Sequence, residues 1–445
     1  MESDPAASHR AVLLEKLADS LASPLPIATP RRVHGTLQLP GKATAVIGMR
    51  RAGKTTFLHQ LRSERLARGV PRERLPYINF EDERLAGLAA EHLHLVVEEY
   101  YRRFPAFRGT ETVTWCLDEI QVVSGWERFV RRLLDNEKVE VFISGSSAAL
   151  LSRELASAMR GRGWEVVIHP FSFEEHLRHH GQSLPERVDL LTAAQRSALD
   201  AALLRYLETG GFPEAQGLDP ATRHTLLTQY VDVAMLRDVS ERHGVTNLAG
   251  LRWLVRHLLG NPGGSFSVEK FYRDLKSQGI AIARDTVHQL VGYLEDCFLV
   301  RTTWVESASP RRRMVNPRKT HPVDPGLIPV FDRTVRANRG HALETVVRVE
   351  IERRRMQASY VRTREGFEVD FLARRPGERP MLIQVCAELD DSVAREREVR
   401  ALLAASQEHP RASLHVITLT PETAAEMPEE VRVHSAALWL LHERP

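Results

Sequence analysis

The hydrophobic pattern near the amino end of the chain predicts one helix and a linker. From about Arg10 to Ala22 the leucines recur at helical spacing, and the nine polar or small residues before them predict a disordered start. Prolines then interrupt the pattern at three positions: Pro24, Pro26 and Pro30. Residues 1–40 are therefore predicted to form an amino-terminal helix and a linker.

Residues 41–170 alternate short apolar runs with helical patterns. The runs are candidate strands: Thr44–Ile47, Leu75–Phe80, Val113–Leu117, Val139–Ser144 and Glu165–Ile168. Strands that are separated by helices predict a parallel sheet with helices on both of its faces. The fold class that we expect is α/β, with this region as its core.

The pattern of apolar and polar residues divides the rest of the chain into three regions. Residues 171–246 predict helices, with a turn at 210–213 where the sequence is GGFP. Residues 247–325 predict three helices followed by a short β segment at 298–302. Residues 326–445 return to mixed α/β, with three predicted strands: Glu368–Ala373, Met381–Ala387 and Leu414–Leu419.

Composition adds limits on the class of protein. The 445 residues exceed what one compact domain usually holds, and the apolar and charged fractions, 43% and 27%, are those of an ordinary globular protein. Collagen-like and disordered classes are thereby excluded. The net charge is only +3, although the 61 basic residues comprise 7 lysines and 54 arginines. Arginine therefore favours nucleic acid only where it clusters.

The cysteines and the polar amino terminus bear on the compartment. Cys116, Cys297 and Cys386 are odd in number and far apart, so they form neither a disulfide framework nor a zinc site by themselves. The amino terminus lacks an apolar signal core, and no run approaches the 18 apolar residues of a membrane span. We expect a cytoplasmic protein with no membrane partner.

The strongest motif follows the first predicted strand of the core. Residues 48–55, with the sequence GMRRAGKT, form a complete G-x4-G-K-[ST] phosphate loop. Its glycines let backbone amides face phosphates, and the start of the following helix adds its dipole. We expect ATP to be bound by this loop and the turn after it, through Gly48, Arg50, Arg51, Ala52, Gly53, Lys54, Thr55 and Thr56.

Two side chains of the phosphate loop have specific expected roles. The Lys54 ammonium would neutralise the β- and γ-phosphates, and the Thr55 hydroxyl would ligate Mg²⁺. The alternative is a glycine turn beside a solvated lysine, which the strand before the motif and the helix after it disfavour.

A second acidic element supports the phosphate loop. The apolar run that begins at Val113 ends in Asp118 and Glu119. At the carboxyl end of a strand, Asp118 would hold Mg²⁺ and Glu119 would polarise the attacking water. The alternative is a pair of solvated acids at a strand end.

Residues beyond the next predicted strand are candidates for sensing the nucleotide. Ser144 or Ser146 would lie next to the γ-phosphate, although Ser146 or Ser147 could equally cap a helix. Arginines follow at three positions: Arg153, Arg160 and Arg162. One of them could act as an arginine finger on a neighbouring subunit, and the alternative is an ordinary surface arginine.

Several motifs in order resemble one known family. These are GMRRAGKTT, YINFEDERL, WCLDEIQ, FISGSSAALLSRELASAMRGR, HPFSFEEHL, YLETGGFPEA and YVDVAMLRDVS, followed by NPRKTHPVDPGL, GHALETVVRVEI and EVDFLARRPGERPMLIQV. The sequence resembles bacterial and archaeal AAA+-like P-loop ATPases with an uncharacterised carboxyl-terminal domain. The resemblance covers about residues 40–440. It implies an ATPase core (41–170), a helical lid (171–246), a winged helix (247–325) and a nuclease-like fold (326–445).

Independently of that resemblance, residues 266–300 have the pattern of a helix-turn-helix. Ser267 can cap a first helix that Gly279 ends, and the second helix, near Arg284–Glu295, places an apolar stripe inward. Exposed residues of this helix and of the basic stretch after it would contact DNA: Arg284, His288, Gln289, Arg311, Arg312, Arg313, Arg318 and Lys319. The alternative is a winged helix that docks proteins, with a solvated arginine loop.

The carboxyl-terminal region resembles the PD-(D/E)xK nuclease layout, with departures. Acids stand at Glu344 and Asp370, but Gln384 stands where the second strand acid is expected and Cys386 where the lysine is expected. Glu368 faces the same side as Asp370 and could replace one ligand. No lysine near these residues in the sequence is an obvious substitute, so we expect a degenerate site that retains a binding role without cleavage.

The function that these features favour is a Mg²⁺-dependent ATPase that acts on DNA or is gated by it. ATP would bind between the core and the helical region, and arginines from neighbouring subunits would complete each site. This arrangement predicts a homo-oligomer that is either a ring, such as a hexamer, or a filament. A nucleotide switch that controls protein partners is the alternative, and an ATP-regulated nuclease is the second alternative.

Overall fold

A computed structural model of the chain describes residues 5–145, 159–182, 184, 187, 190–332, 338–421 and 426–442. The chain divides into two compact units, unit 1 at residues 1–168 and unit 2 at residues 169–445. Across the described ranges, none of the helices has the length and apolarity needed to cross a membrane. Three residues singled out above lie outside the described residues: Ser146, Ser147 and Arg153.

Unit 1 is built on a parallel sheet. Its five strands within the described residues are β1 (Ala43–Ile47), β2 (Tyr77–Asn79), β3 (Val113–Asp118), β4 (Val139–Ser144) and β5 (Gly163–Val167). They are ordered β2-β3-β4-β1-β5, and every pairing is parallel. All residues of β1 and β3 are buried, as apolar strands covered on both faces should be. The prediction of a parallel α/β core is confirmed.

The first helix of unit 1 begins earlier than the sequence pattern indicates. The helices of this unit are α1 (Pro5–Ala22), α2 (Lys54–Ala67), α3 (His94–Arg103) and α4 (Trp126–Asn136). The expectation of a disordered stretch up to residue 9 is wrong, because α1 already begins at Pro5. Proline is tolerated in a first helical turn, where its missing N–H has no partner to lose. Leu13 and Leu17 anchor this helix in the core.

Unit 2 begins with helices and continues with a mixed sheet. Its helices are α5 (Phe173–His179), α6 (Ala193–Thr209), α7 (Pro220–Val233), α8 (Leu248–Gly260), α9 (Val268–Ser277), α10 (Arg284–Asp296), α11 (Pro310–Val315), α12 (Ile328–Phe331), α13 (Arg339–Arg353), α14 (Ser392–Glu408) and α15 (Ala436–Leu441). A π-helix, Ala234–Glu241, continues α7.

The strands of unit 2 form one sheet across a predicted domain boundary. They are β6 (Ser265–Phe266), β7 (Val300–Val305), β8 (Arg318–Pro322), β9 (Gln357–Arg362), β10 (Glu368–Arg374), β11 (Met381–Cys386), β12 (Ser413–Thr418) and β13 (Val431–Ser435). Among the described residues their order is β13-β12-β11-β10-β9-β7-β8-β6. β7 pairs with β8 antiparallel and with β9 parallel, so strands from both sides of residue 325 share the sheet. The sequence pattern missed four of these strands: β6, β8, β9 and β13.

A buried turn at Gly211 joins the helices of unit 2 to its sheet. The Gly211 amide donates to Asp324 Oδ2 at 2.7 Å, and its carbonyl oxygen accepts from the Phe171 amide at 2.6 Å. The other oxygen of the same carboxyl accepts from the Gly326 amide at 2.9 Å. Burial raises the pKa of Asp324 to about 7, an effect that these backbone donors partly offset. The predicted GGFP turn is therefore a packed junction.

The packing at Gly211 makes a stability prediction. A Cβ atom at this position would lie 2.2 Å from the carbonyl oxygen of Phe171, and backbone cannot move aside as a flexible side chain can. We expect Gly211→Ala to lower the free energy of unfolding by about 2–3 kcal/mol in urea titrations.

The matched control is Gly292→Ala in the interior of α10, where the added methyl group meets nothing within 4 Å. This variant should be stabilised by about 0.5–1 kcal/mol, since alanine restricts the unfolded chain and favours the helix. Equal stability of the two variants would contradict the packing at the turn.

Candidate nucleotide-binding site

The loop between β1 and α2 depends on glycine at two positions. Gly48 has φ +144°, and a Cβ atom there would lie 2.2 Å from the carbonyl oxygen of Ile168. Gly53 has φ +100° and precedes α2, whose amino end receives no side-chain cap. The amino end of α2 is therefore presented to an anion, which its dipole favours.

Lys54 and its neighbours form the rest of the loop. The Lys54 side chain is buried, and Nζ donates to the carbonyl oxygens of Gly48 and Met49 at 3.2 and 3.1 Å. These contacts hold the ammonium group against the loop, where the phosphates of a nucleotide would lie. The other residues predicted to contact the nucleotide share the loop or the first turn of α2: Arg50, Arg51, Ala52, Thr55 and Thr56.

Asp118 is the centre of a hydrogen-bond network at the carboxyl edge of the sheet. Thr55 Oγ1 donates to Asp118 Oδ2 at 2.8 Å, so the two predicted Mg²⁺ ligands are in contact. Ser144 Oγ donates to the other carboxylate oxygen and accepts from the Glu119 amide at 3.1 Å. Because β4 lies between β1 and β3, the sheet order brings these side chains together.

Tyr77 is a member of this network that sequence reasoning missed. Its hydroxyl group donates to Asp118 Oδ2 at 2.7 Å from the first residue of β2. Burial, followed by the nearby Asp118 carboxylate, raises the pKa of Tyr77, which keeps the hydroxyl group a donor. The signal available in the sequence was the position of Tyr77 at the start of the strand before β3.

Glu119 has the environment of a general base. Its backbone is left-handed, with φ +53°, which turns the chain away from β3 immediately after Asp118. Its side chain accepts from Gln121 Nε2 at 2.5 Å. Burial raises the pKa of Glu119, whereas the Lys54 ammonium lowers it by a smaller amount. A raised pKa makes this carboxylate a stronger proton acceptor at neutral pH.

The predicted linker also contacts the phosphate loop. Arg31, which is buried, donates from Nη1 to the carbonyl oxygen of Ala52 at 2.7 Å. Its backbone exchanges hydrogen bonds with the Gln60 side chain on α2, at 2.7 and 2.9 Å. The linker is thereby attached both to the loop and to the helix that follows it. No sequence motif indicated this contact.

The donor set fits a nucleoside triphosphate with a divalent cation. The cradle has no room for a side chain at Gly48, and Lys54 provides a positive charge beside it. The contact between Thr55 and Asp118 joins a hydroxyl and a carboxylate oxygen, the ligand types that Mg²⁺ prefers.

Of the two described candidate finger arginines, Arg162 lies at the end of the sheet opposite to the phosphate loop. The Arg162 carbonyl oxygen accepts from the Ala43 amide at 2.8 Å, where β1 begins, and its guanidinium pairs with Asp135. The five residues of β1 separate this end from the phosphate loop by about 16 Å. Arg160 is exposed and lines a cavity of about 760 Å³ together with other arginines: Arg128, Arg131 and Arg132.

The helix-turn-helix pattern has its helices where the sequence predicts them. Ser267 caps α9 by accepting from the Lys270 amide at 3.3 Å, and Gly279 has φ +76° after its end. The inward stripe of α10 is buried: Val287, Leu290, Val291 and Leu294. The residues predicted to face DNA are exposed on its outer face: Arg284, His288 and Gln289.

The basic stretch after α10 divides into exposed and covered residues. Arg311, Arg312 and Arg313 are exposed on α11, which connects the antiparallel strands β7 and β8. The Arg318 guanidinium stacks over the Trp304 ring at 3.8 Å. The stretch therefore presents three arginines together.

The structure corrects two expectations about Lys319. Its side chain is buried, so it is not an exposed phosphate contact. Its Nζ lies 2.8 Å from Asp370, 3.0 Å from Glu368 and 3.4 Å from Glu344. The expectation that no lysine stands near the nuclease-like acids is thus wrong. The sequence did not indicate this contact, because Lys319 on β8 precedes Asp370 on β10 by about fifty residues.

The remaining nuclease-like positions depart from that layout as the sequence indicates. Gln384 Oε1 accepts from the Asp370 amide at 3.3 Å, and its Nε2 donates to Glu398. Burial raises the pKa of the Cys386 thiol to about 11, so the thiol is neutral, and it donates to the Glu388 carbonyl oxygen at 2.9 Å. Neither side chain supplies a negative charge to the cluster.

Comparison with known families agrees with the geometry of unit 1. Residues 40–177 match a family model described as an AAA domain, and residues 200–334 match a domain of unknown function, DUF8612. The parallel sheet of unit 1 is therefore that of an AAA-type P-loop domain, and the phosphate loop and the Asp118–Glu119 pair lie within the matched residues.

Relatives and solved structures extend the comparison. The chain is 32% identical over 368 residues to the uncharacterised protein MJ1544 of Methanocaldococcus jannaschii, covering 82% of this chain and 78% of that protein. It therefore belongs to the same family as MJ1544. An uncharacterised protein of Haemophilus influenzae is 28% identical over 348 residues, covering 78% and 83%. The Walker-type ATPase PABY2304 of Pyrococcus abyssi aligns with a TM-score of 0.38 and 15% identity, covering 72% and 95%.

Removal of the Lys54 ammonium should weaken nucleotide binding. Lys54→Ala deletes a charged donor beside the phosphates, which corresponds to about 3 kcal/mol, or near a hundredfold in Kd. Calorimetric titration with ATP and Mg²⁺ measures the change. Lys138→Ala, which removes an exposed lysine of the same unit, should leave Kd unchanged. Tight ATP binding by Lys54→Ala would overturn the site assignment.

Replacement of Glu119 should separate binding from hydrolysis. Glu119→Gln keeps the shape of the side chain but cannot accept a proton, so kcat should fall by about 10²–10⁴ with little change in the Kd for ATP. Single-turnover assays should find ATP retained unhydrolysed. Normal turnover would show that another group activates the water.

Proposed function

We propose that this protein is a Mg²⁺-dependent ATPase of AAA+ type that acts on DNA, or is gated by it, as a homo-oligomer. The observation that carries the ATPase part is the network in which Asp118 contacts Thr55 and Ser144 beside the phosphate loop. The charge for the phosphates, the oxygens for a cation and a candidate base share one edge of the sheet.

The residues of the site have distinct roles in this proposal. Lys54 neutralises the β- and γ-phosphates, while Thr55 and Asp118 hold Mg²⁺, which supplies further neutralisation of charge on the phosphates. Glu119 orients the attacking water and accepts its proton. Ser144 fixes both Asp118 and the Glu119 backbone, so it couples the position of the cation to that of the base.

The position of the candidate fingers supports an oligomer. Arg162 lies at the end of the sheet opposite to the phosphate loop, too far to reach the nucleotide of its own chain, and Arg160 precedes it by two residues on the surface. A neighbouring subunit could present its nucleotide to this end. A ring, such as a hexamer, repeats that contact between every pair of adjacent subunits.

Exposed arginines support a role on DNA. Arg284 on α10 and the three arginines of α11 lie on elements that are joined by a single strand, β7. Guanidinium groups recognise phosphates through paired hydrogen bonds, and a helix flanked by such a wing is suited to a DNA groove. The exposed positions His288 and Gln289 could contact bases.

One observation favours the alternative, a nucleotide switch that controls protein partners. Met314 and Val315 are exposed beside the arginines of α11, at 73% and 72%. An apolar pair within a basic segment suits a protein surface better than a phosphate backbone.

The two functions differ in their response to DNA and salt. If DNA is the partner, duplex or branched DNA should raise the ATPase rate, and binding should weaken steeply with salt. Charge reversal of Arg311, Arg312 and Arg313 to glutamate should lower the salt slope of log K by about 3, near one for each phosphate that an arginine no longer neutralises.

The matched control reverses three exposed arginines elsewhere in unit 2: Arg364, Arg400 and Arg411. It changes the net charge equally and should retain the wild-type slope. If DNA does not change the ATPase rate of the wild-type protein, and no salt-dependent DNA binding is found, the nucleotide switch that controls protein partners is favoured.

A further inference from the structure

The nuclease-like layout implies a divalent cation held by acidic side chains, and the residues of unit 2 test that implication. The acids are present: Glu344 on α13 and Glu368 and Asp370 on β10. Their negative charges require a positive partner, either a bound cation or a basic side chain.

Lys319 lies among all three carboxylates. Its Nζ is within 3.4 Å of an oxygen of each, and only 5% of its side chain is exposed. Carboxylates crowd in this way when a positive charge lies between them, and an ammonium donates three hydrogen bonds. The number of donors on the lysine equals the number of acids that surround it.

Gln384 shows that the cluster lacks one acidic ligand of the nuclease layout. Both ends of its amide are engaged, Oε1 with the Asp370 backbone and Nε2 with Glu398. The amide is therefore committed to fixing β10 against β11 and α14. A neutral group at this position also lowers the negative charge that would attract a divalent cation.

We infer that the Lys319 ammonium takes the place of the divalent cation in the nuclease-like site of this protein. The residues do not fit a metal, because a fixed internal cation already occupies the space among the acids. The cluster joins β8 to α13 and β10, although β7 and β9 lie between β8 and β10 in the sheet. The acids of the nuclease-like layout thus act as an internal ion cluster that ties the two halves of the sheet together.

Removal of the ammonium should uncover a metal site. His321 lies two residues further along β8 and is fully buried, with Nε2 4.0 Å from Glu344 Oε1. Within the part of the chain that the structure describes, neither of its ring nitrogens makes a hydrogen bond. Lys319→Met should leave three carboxylates without a counter-charge beside this neutral imidazole, and together these groups are a ligand set for Mn²⁺.

The test measures Mn²⁺ uptake by the full chain without nucleotide, through the loss of the free-ion electron paramagnetic resonance signal. Every protein also carries Asp118→Asn, which removes the carboxylate ligand of the proposed cation in the nucleotide site. Lys319→Met should bind about one Mn²⁺ per chain, and addition of Asp370→Asn should abolish that uptake. The protein with Lys319 intact should bind none at the same concentrations.

Two outcomes would overturn the inference. The first is a metal-dependent property of the protein that retains Lys319: either stoichiometric Mn²⁺ uptake or Mn²⁺-dependent nicking of plasmid DNA. In either case Asp370→Asn should abolish the property. The second is a Lys319→Met protein that is folded by circular dichroism and binds no Mn²⁺. Where Lys319→Met fails to fold, the first comparison decides the matter, because it uses only chains that retain the lysine.

Discussion

The hydrogen bonds of the Asp118 carboxylate determine the arrangement of the nucleotide site. One of its oxygens accepts from Thr55 and Tyr77, and the other accepts from Ser144. A buried carboxylate is stable only when such donors surround it, and here they come from three elements: the first turn of α2, the first residue of β2 and the last residue of β4. The register of the sheet and the position of the phosphate loop are thus linked by one side chain.

The phosphate loop itself depends on a steric constraint. The carbonyl oxygen of Ile168 occupies the space where a side chain at position 48 would lie. The backbone at Ile168 therefore lies directly against the start of the phosphate loop, which continues into the amino end of α2. Arg31 adds a link from the linker to Ala52. Contacts within the chain thus hold the loop in place, and such preorganisation lowers the entropic cost of binding a ligand.

The acidic side chains of unit 2 have partners of a different kind from those of Asp118 in unit 1. In unit 1, Asp118 faces hydroxyl donors and can still share its charge with a cation. In unit 2, Glu344, Glu368 and Asp370 face an ammonium that belongs to the chain, and although burial acts against it, their charges raise the pKa of Lys319. Acidic side chains thus have different roles in the two units. Those with neutral hydroxyl partners can still bind a cation, whereas those paired with a lysine are already neutralised.

The sequence by itself determined the features that depend on residues close together in the chain. It located the parallel core, the phosphate loop, the Asp118–Glu119 pair and the helices α9 and α10, because strand period, helix period and glycine spacing are local signals. Only the tertiary structure decided contacts between distant residues. The approach of Tyr77 to Asp118 and of Lys319 to Asp370 follows from strand order and packing, which no local pattern encodes. The early start of α1 and the strands β6, β8, β9 and β13 were missed for a related reason, since burial against other elements stabilises short segments whose own pattern is weak.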